Sequence, residues 1–369
     1  MSEEFEIYLV ATPGLETVLA REAAEKGFAA PQPSLGGVTI RGGWPDVWRA
    51  NLELRGAARI LARLGSFRAM HLAQLDKRAR KFPWATFFKP GQAVQVEASC
   101  HASRIYHDRA AAQRIATALH EELGAEVRDD AQLRVLARID DDLCTISVDT
   151  SGELLHRRGH KEAVNRAPMR ETLAALFLRE CGFTGDEPVL DPMCGSGTFV
   201  IEAAEIATGL QAGRSRSFAF EELLTFDPAA YTRLRQAQPI ADPTVRFLGS
   251  DRDPGAIRMS QGNAERAGVS AITAFRNLSV ADLERPEGPA GLVIVNPPYG
   301  GRIGNKKLLL ALHGQLGDVL RERFKGWRVG LVTSEPGLAK ATRLPFGPPG
   351  PYVAHGGLKI RLYKTQPLR

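Results

Sequence analysis

Val189-Leu-Asp-Pro-Met-Cys-Gly-Ser-Gly-Thr198 is the stretch on which the fold turns. Two apolar residues run into an acid, a loop carrying Gly195 and Gly197 follows, and an Ala- and Ile-rich run continues to Thr208. The pattern predicts a short buried strand, a tight turn and a helix. Glycine in such a turn lets backbone approach a ligand that a Cβ would repel. A ligand held there sits beyond the carboxyl end of the strand, where doubly wound sheets bind small molecules. Gly-x-Gly alone is equally the mark of a structural turn. Its spacing here departs from Gly-x-Gly-x-x-Gly and from the P-loop, whose Lys is missing. Asp191, just ahead of the glycines, suits a cationic amino-acid moiety better than a pyrophosphate.

Outward from this stretch, strands and helices alternate. Leu173, Leu176 and Phe177 form a helical stripe ended by Gly182. Further strands are predicted at Val245–Ser250, Ile272–Phe275, Gly291–Val295 and Val329–Thr333, with a helix through Ala256, Met259 and Ala264 after the first of them. A closing hairpin through Tyr352 and Leu358 to Tyr363 completes the series. This alternation means a mostly parallel sheet covered on both faces. Residues 211–243 are read as an insertion within this sheet domain.

The N-terminal part reads differently. Ile7–Val10 and Val38–Ile40 are strand-like around a helical run at Leu15, Val18 and Leu19, and a basic helical stretch is expected from Asp46 to about Ala62. Ala93–Ala98 alternates at period two, and Ile115, Leu119 and Leu123 share a helix face. Leu133–Ile139 and Cys144–Val148 flank Asp140-Asp-Asp142 and read as a hairpin. The whole is α+β, with a boundary expected after this hairpin.

At 369 residues the chain has room for two or three domains. No apolar run approaches the roughly 20 residues that span a bilayer, and Glu3 and Glu4 stand where a signal peptide would carry basic residues. A cytoplasmic protein is expected, without a membrane partner. Cys100, Cys144, Cys181 and Cys194 are scattered without metal-ligand spacing. They read as reduced thiols, and no metal site is expected. The net charge of +6 is modest, but its distribution is uneven. Arg55 to Lys81 holds eight basic residues against Asp76, and Leu154 to Arg170 holds five, including Arg157, Arg158, Lys161 and Arg166, against Glu162. Such stretches can neutralise phosphates; they are equally well solvated faces.

Two more motifs carry chemistry. In Leu248-Gly-Ser-Asp-Arg-Asp253, an acid ending the second strand can accept both ribose hydroxyls; Asp251 is the choice, with Asp253 beside it. Two acids before a helix are also the ordinary form of an N-cap. Asp282, past the third strand, falls where an adenine amino group could be bound. Ile294-Val-Asn-Pro-Pro-Tyr299 is harder to explain as a turn. Its two prolines remove donors and fix the backbone. The Asn296 side-chain oxygen and the Pro297 carbonyl can hold an exocyclic amine with its lone pair aimed at a methyl donor, while Tyr299 offers a face on which an extruded base stacks.

In this order, the motifs resemble class I methyltransferases acting on exocyclic amines. Leu155-His-Arg-Arg-Gly-His160 followed by Ala167-Pro-Met-Arg-Glu-Thr-Leu-Ala-Ala175 resembles the entry into the catalytic domain of the THUMP-containing RNA guanine-N2 methyltransferases. Ala11-Thr-Pro-Gly-Leu-Glu16 is similar to that family's start, and Ser103-Arg-Ile-Tyr-His107 to an element inside THUMP. The resemblance implies an α/β fold, with a ferredoxin-like piece over 1–60, a THUMP RNA-binding domain over 61–154 and a Rossmann-like methyltransferase over 155–369. It implies S-adenosylmethionine bound by Thr172, Asp191, Gly195, Ser196, Gly197, Thr198, Asp251, Asp282 and Asn296, with S-adenosylhomocysteine as product. It places amine handling on Asn296, Pro297, Pro298 and Tyr299. The implied partner is RNA: large-subunit ribosomal RNA first, a tRNA acceptor stem second.

Gly301 and Arg302 stand where family members often carry an acid, and with one donor site a second fused activity is not expected. Adenine-N6 methylation of DNA shares the Asn-Pro-Pro-Tyr chemistry but not the THUMP-like segment. An RNA-binding factor without activity is disfavoured by the intact Asp191, Asn296 and Tyr299, and a nicotinamide oxidoreductase by the glycine spacing.

Overall fold

The computed structural model describes residues 4–162, 169–236, 243–299 and 306–369. The chain divides into two units. One comprises Met1–Ala11, Ala20–Leu155 and Arg216–Ala237; the other comprises Thr12–Leu19, His156–Ser215 and Gln238–Arg369.

The first unit carries an eight-stranded sheet. In chain order its elements are β1 (Phe5–Val10), α1 (Glu16–Glu25, which begins in the second unit), β2 (Ala29–Ser34), β3 (Gly37–Gly42), α2 (Trp44–Glu53), β4 (Arg59–Arg68), α3 (Leu72–Arg80), β5 (Ala93–His101), α4 (Asp108–Leu123), β6 (Glu126–Val127), β7 (Arg134–Asp140) and β8 (Leu143–Asp149). The strand order is β2-β3-β1-β4-β8-β7-β5-β6. β4 pairs through Arg59–Ala62 with β1 and through Leu61–Arg68 with β8. The expected division at residue 60 therefore falls inside a strand, and the two pieces share one sheet. The helix expected from Asp46 to Ala62 stops at Glu53, because Leu54 is already extended (φ −73°, ψ 125°). Ile60 and Leu61 belong instead to β4, where burial alternates. β2, with Pro31 and Pro33, is an edge strand that periodicity does not reveal; an edge tolerates the missing donors. The β7–β8 hairpin turns on Asp141 and Asp142 at φ +49° and +59°, as a two-residue turn requires.

Residues 216–236, including α7 (Pro228–Gln236), correct the assignment of 211–243 to the catalytic domain. Trp48 of α2 packs against Phe220 and Phe226, and Tyr231 sets its ring against both of them. The Arg216 guanidinium donates to the carbonyls of Ser151, Glu153 and Leu154 at 3.0, 2.8 and 2.9 Å. The segment completes the first unit's core. Residues 237–242 lie outside the described residues.

The second unit is the doubly wound sheet. It contains α5 (Glu171–Glu180), β9 (Val189–Asp191), α6 (Thr198–Ala207), β10 (Phe247–Asp251), α8 (Pro254–Ala267), β11 (Thr273–Asn277), β12 (Leu292–Val295), α9 (Lys306–Arg323), β13 (Arg328–Thr333), α10 (Pro336–Ala341), β14 (Val353–His355) and β15 (Leu358–Lys364). The order β11-β10-β9-β12-β13-β15-β14 is parallel from β11 to β13, and β15 runs antiparallel to both of its neighbours. From β9 the chain winds outward through β10 to β11, then returns to β12 on the other side. That reversal opens a crevice beyond the carboxyl ends of β9 and β12. Leu190, Val293, Val295, Leu316, Phe324 and Trp327 are buried in one apolar cluster that holds α9 to the sheet.

Candidate active site

The crevice holds a cavity of about 350 Å³, within the range of small-molecule pockets. Its floor comes from three strand ends: Asp191 closing β9, Asp251 closing β10 and Asn296 just after β12. Asp191 is 3% exposed, and its Oδ1 accepts a hydrogen bond from Met193 N at 3.0 Å. Burial raises its pKa to about 8, partly offset by that bond and reinforced by the neighbouring Asp251. Asp251 uses Oδ2 to accept from Gly195 N at 3.1 Å and Oδ1 to accept from Asp253 N at 3.0 Å. The two acids of the second motif therefore divide the work. Asp253 caps α8 by accepting from Gly255 N at 2.8 Å, and Asp251 faces the cavity.

The glycine loop is shaped by φ values that favour glycine. Gly195 sits at φ +54° with open space where its Cβ would be, as a ligand cradle needs. Gly197, at φ +82°, has a different task. A Cβ there would meet Ser260 and Phe275 at 3.1–3.2 Å, and the residue starts α6 without lining the cavity. Two α8 side chains fix the loop: Ser260 Oγ donates to Gly195 O at 2.8 Å and Asn263 Nδ2 to Ser196 O at 3.1 Å. Neither carries a sequence signal, since each is an ordinary polar residue on a helix. The Cys194 thiol lines the same loop, and burial beside Asp191 pushes its pKa up, which keeps it un-ionised.

Just after β12, Asn296, Pro297 and Pro298 line the cavity. Asn296 Oδ1 is buried and has no hydrogen-bond partner among the described residues. An acceptor in that state is costly unless a donor arrives. Tyr299 departs from expectation: it is fully buried and does not line the cavity, so it offers no open ring face for stacking. Asp282 departs too. It is exposed and accepts from Ser279 Oγ at 2.7 Å, whereas Leu278, Ser279 and Val280 line the cavity in its place. A short 3-10 turn over Val280–Asp282 explains this, since it turns the acid outward and brings the preceding residues in. Thr172 is buried in α5 away from the lining, while Ser196 and Thr198 belong to it. Leu312 and Gln315 reach the cavity from α9, which the motif reading did not single out. Ala163–Pro168, including Arg166 and Ala167, and Gly300–Asn305, including Gly301 and Arg302, lie outside the described residues.

The basic stretches are partly consumed by structure. Arg158 pairs with Glu202 at 3.1 Å, both 1% exposed, and Lys161 with Glu171 at 2.9 Å. Burial, reinforced by Arg170 and its other basic neighbours, lowers the His156 pKa to about 4. Arg55 is buried, Arg59 pairs with Asp149, Arg63 with Glu6, and Arg80 with Asp76 and Glu121. The α3 side chains Lys77 and Arg78, with Lys81 just beyond them, remain exposed.

A family described as an RMKL-like methyltransferase domain matches residues 158–345, about half of the chain. The chain belongs to that family. An RlmL ferredoxin-like domain matches residues 6–61 and a THUMP domain residues 69–149. A Synechocystis sp. protein named as a candidate RNA methyltransferase is 31% identical over 96% of this chain and 94% of its own. The Vibrio campbellii ribosomal RNA large subunit methyltransferase K/L is 30% identical over 91% of this chain, which spans half of that protein's length. A candidate methyltransferase, SMU.472, solved in complex with SAH, superposes with a TM-score of 0.88 at 26% identity, each chain covered completely. For this family member the cofactor is S-adenosylmethionine, and the residues present fit it: a clear cradle at Gly195, a buried acid at Asp191 and a second acid at Asp251.

Proposed function

We propose that this methyltransferase modifies the exocyclic N2 amine of a guanosine in structured RNA, with 23S ribosomal RNA as the first substrate. The observation that carries the reading is the buried Asn296 Oδ1, without a hydrogen-bond partner among the described residues, in the same cavity as Asp191 and Asp251. When bound, S-adenosylmethionine supplies an electrophilic methyl group on a sulfonium. Asp191 and Gly195 would hold its amino-acid end and Asp251 its ribose. Asn296 Oδ1 accepts a hydrogen bond from the substrate amine. That fixes the nitrogen and raises its electron density without a strong general base. Pro297 and Pro298 add no backbone donors to compete for that oxygen.

The THUMP match, the ribosomal RNA named in the Vibrio relative and the exposed basic face of α3 support RNA as the polymer. Nucleoside mass mapping of ribosomal and transfer RNA from cells lacking the protein is expected to lose one N2-methylguanosine from 23S RNA. Incubation of the purified protein with labelled methyl donor and either deproteinised RNA or duplex DNA provides the second arm. Label confined to DNA, as N6-methyladenine, overturns the proposal. Loss of the mark from tRNA alone moves it to the acceptor stem.

A further inference from the structure

Behind the cavity wall lies a lysine that no motif predicts. The Lys161 side chain is 10% exposed, and its Nζ donates to Met169 O at 3.0 Å and to Thr198 Oγ1 at 2.9 Å, with Glu171 Oε1 at 2.9 Å. Three ammonium protons thus meet three acceptors. Met169 and Thr198 line the cavity; Lys161 and Glu171 do not. A hydroxyl that accepts from a lysine keeps its own proton free to donate elsewhere, so Lys161 sets Thr198 as a donor. Thr198 is also the first residue of the ten-residue α6, at the end where N–H groups lack helical partners and the helix dipole is positive. The same cavity carries the carboxyls of Asp191 and Asp251. A site with buried acid on one part of its wall and a lysine-set donor on another matches the two ends of an α-amino acid zwitterion.

We propose that Lys161 is a positioning residue: acting through Thr198, it selects cofactors that carry the α-carboxylate of an amino-acid tail. The inference rests on S-adenosylmethionine being the cofactor. Glu171 balances the lysine charge, so the pair holds a donor in place without presenting a bare cation to the cavity.

The test compares calorimetric binding of two ligands. S-adenosylhomocysteine carries the tail, and 5′-methylthioadenosine keeps the adenosine thioether without it. Lys161→Met is expected to weaken S-adenosylhomocysteine roughly tenfold, the scale of one hydrogen bond to a charged group, and to leave 5′-methylthioadenosine within about twofold. Thr198→Val should show the same selectivity. The double variant should lose little more than either single one, because both act on one relay. Lys161→Arg, which keeps charge and reach, should recover most of the affinity. Equal loss for both ligands, or loss for neither, overturns the proposal and leaves the cofactor reading standing. Wild-type protein that fails to bind S-adenosylhomocysteine overturns the cofactor reading instead. If Lys161→Met does not fold, Thr198→Val carries the same comparison.

Discussion

A buried oxygen without a donor costs about 1–3 kcal/mol, and Asn296 Oδ1, just after β12, has no donor among the described residues. The cost is what makes it useful, because the oxygen is already desolvated when an amine arrives. Asn296→Ala is expected to lower kcat by roughly 10²- to 10³-fold, as loss of one preorganised polar partner does. Folding stability should not fall, because the substitution removes a buried acceptor that lacks a donor among the described residues; steady-state methyl transfer and a melting curve check both. Asp191 stores a second cost, in protons. Its folded pKa of about 8 lies above the unfolded carboxylate range, so the folded state keeps a proton that the unfolded state releases. The stability tied to this group is therefore present below about pH 4 and drains away as pH rises toward 8. In cofactor-free protein the melting temperature of the wild type, relative to Asp191→Asn, should fall across that window. A constant difference would show that Asp191 ionises normally despite its burial beside Asp251 and Cys194.

Elements decide which charges are available to a partner. Of the basic residues between Arg55 and Lys81, Arg59 and Arg63 on β4 are drawn into ion pairs with β8 and β1, and Arg80 is held by its own helix and by α4. Lys77, Arg78 and Lys81 project from the last turn of α3 and the residue after it, where positive charge also complements the helix dipole. Reversing all three to Glu is expected to weaken RNA binding and flatten its dependence on log salt by roughly one unit per lost phosphate contact. Filter binding at several salt concentrations reads this directly. An unchanged slope would assign the face to solvation alone, and a melting curve separates either outcome from unfolding. α8 shows the same principle in the catalytic unit. Asp253 starts it, and Ser260 and Asn263, about two and three turns later, hold the glycine loop that lines the cavity.

At the scale of the molecule, sequence order and structural membership part company. Residues 216–236 lie between two cofactor motifs in the chain, yet Phe220, Phe226 and Tyr231 complete the core that begins at Trp48. Phe220→Ala should cost about 3–5 kcal/mol, the range for a buried aromatic ring. That loss belongs to the first unit. In scanning calorimetry it should lower a transition that S-adenosylhomocysteine does not raise, since ligand binding stabilises only the unit holding the site. A shift confined to the ligand-sensitive transition would return the segment to the catalytic unit.

What the sequence determined by itself is local. A strand run ending in an acid, glycines at positive φ and a helix start are written in consecutive residues, so Asp191, Gly195, Asp251 and Asn296 were legible as a set, as was the hairpin turning on Asp141 and Asp142. The tertiary structure decided everything that depends on residues far apart in the chain. Asp282 and Tyr299 lie beside lining residues, but a 3-10 turn exposes the first and packing buries the second. Leu312 and Gln315 reach the cavity because a shared apolar cluster seats α9 on the sheet. Lys161 reaches Thr198 across 37 residues of chain. The physical reason is that hydrogen bonds and strand periods act between neighbours along the backbone, whereas burial and ion pairing depend on which surfaces meet, and short-range pattern does not encode those meetings.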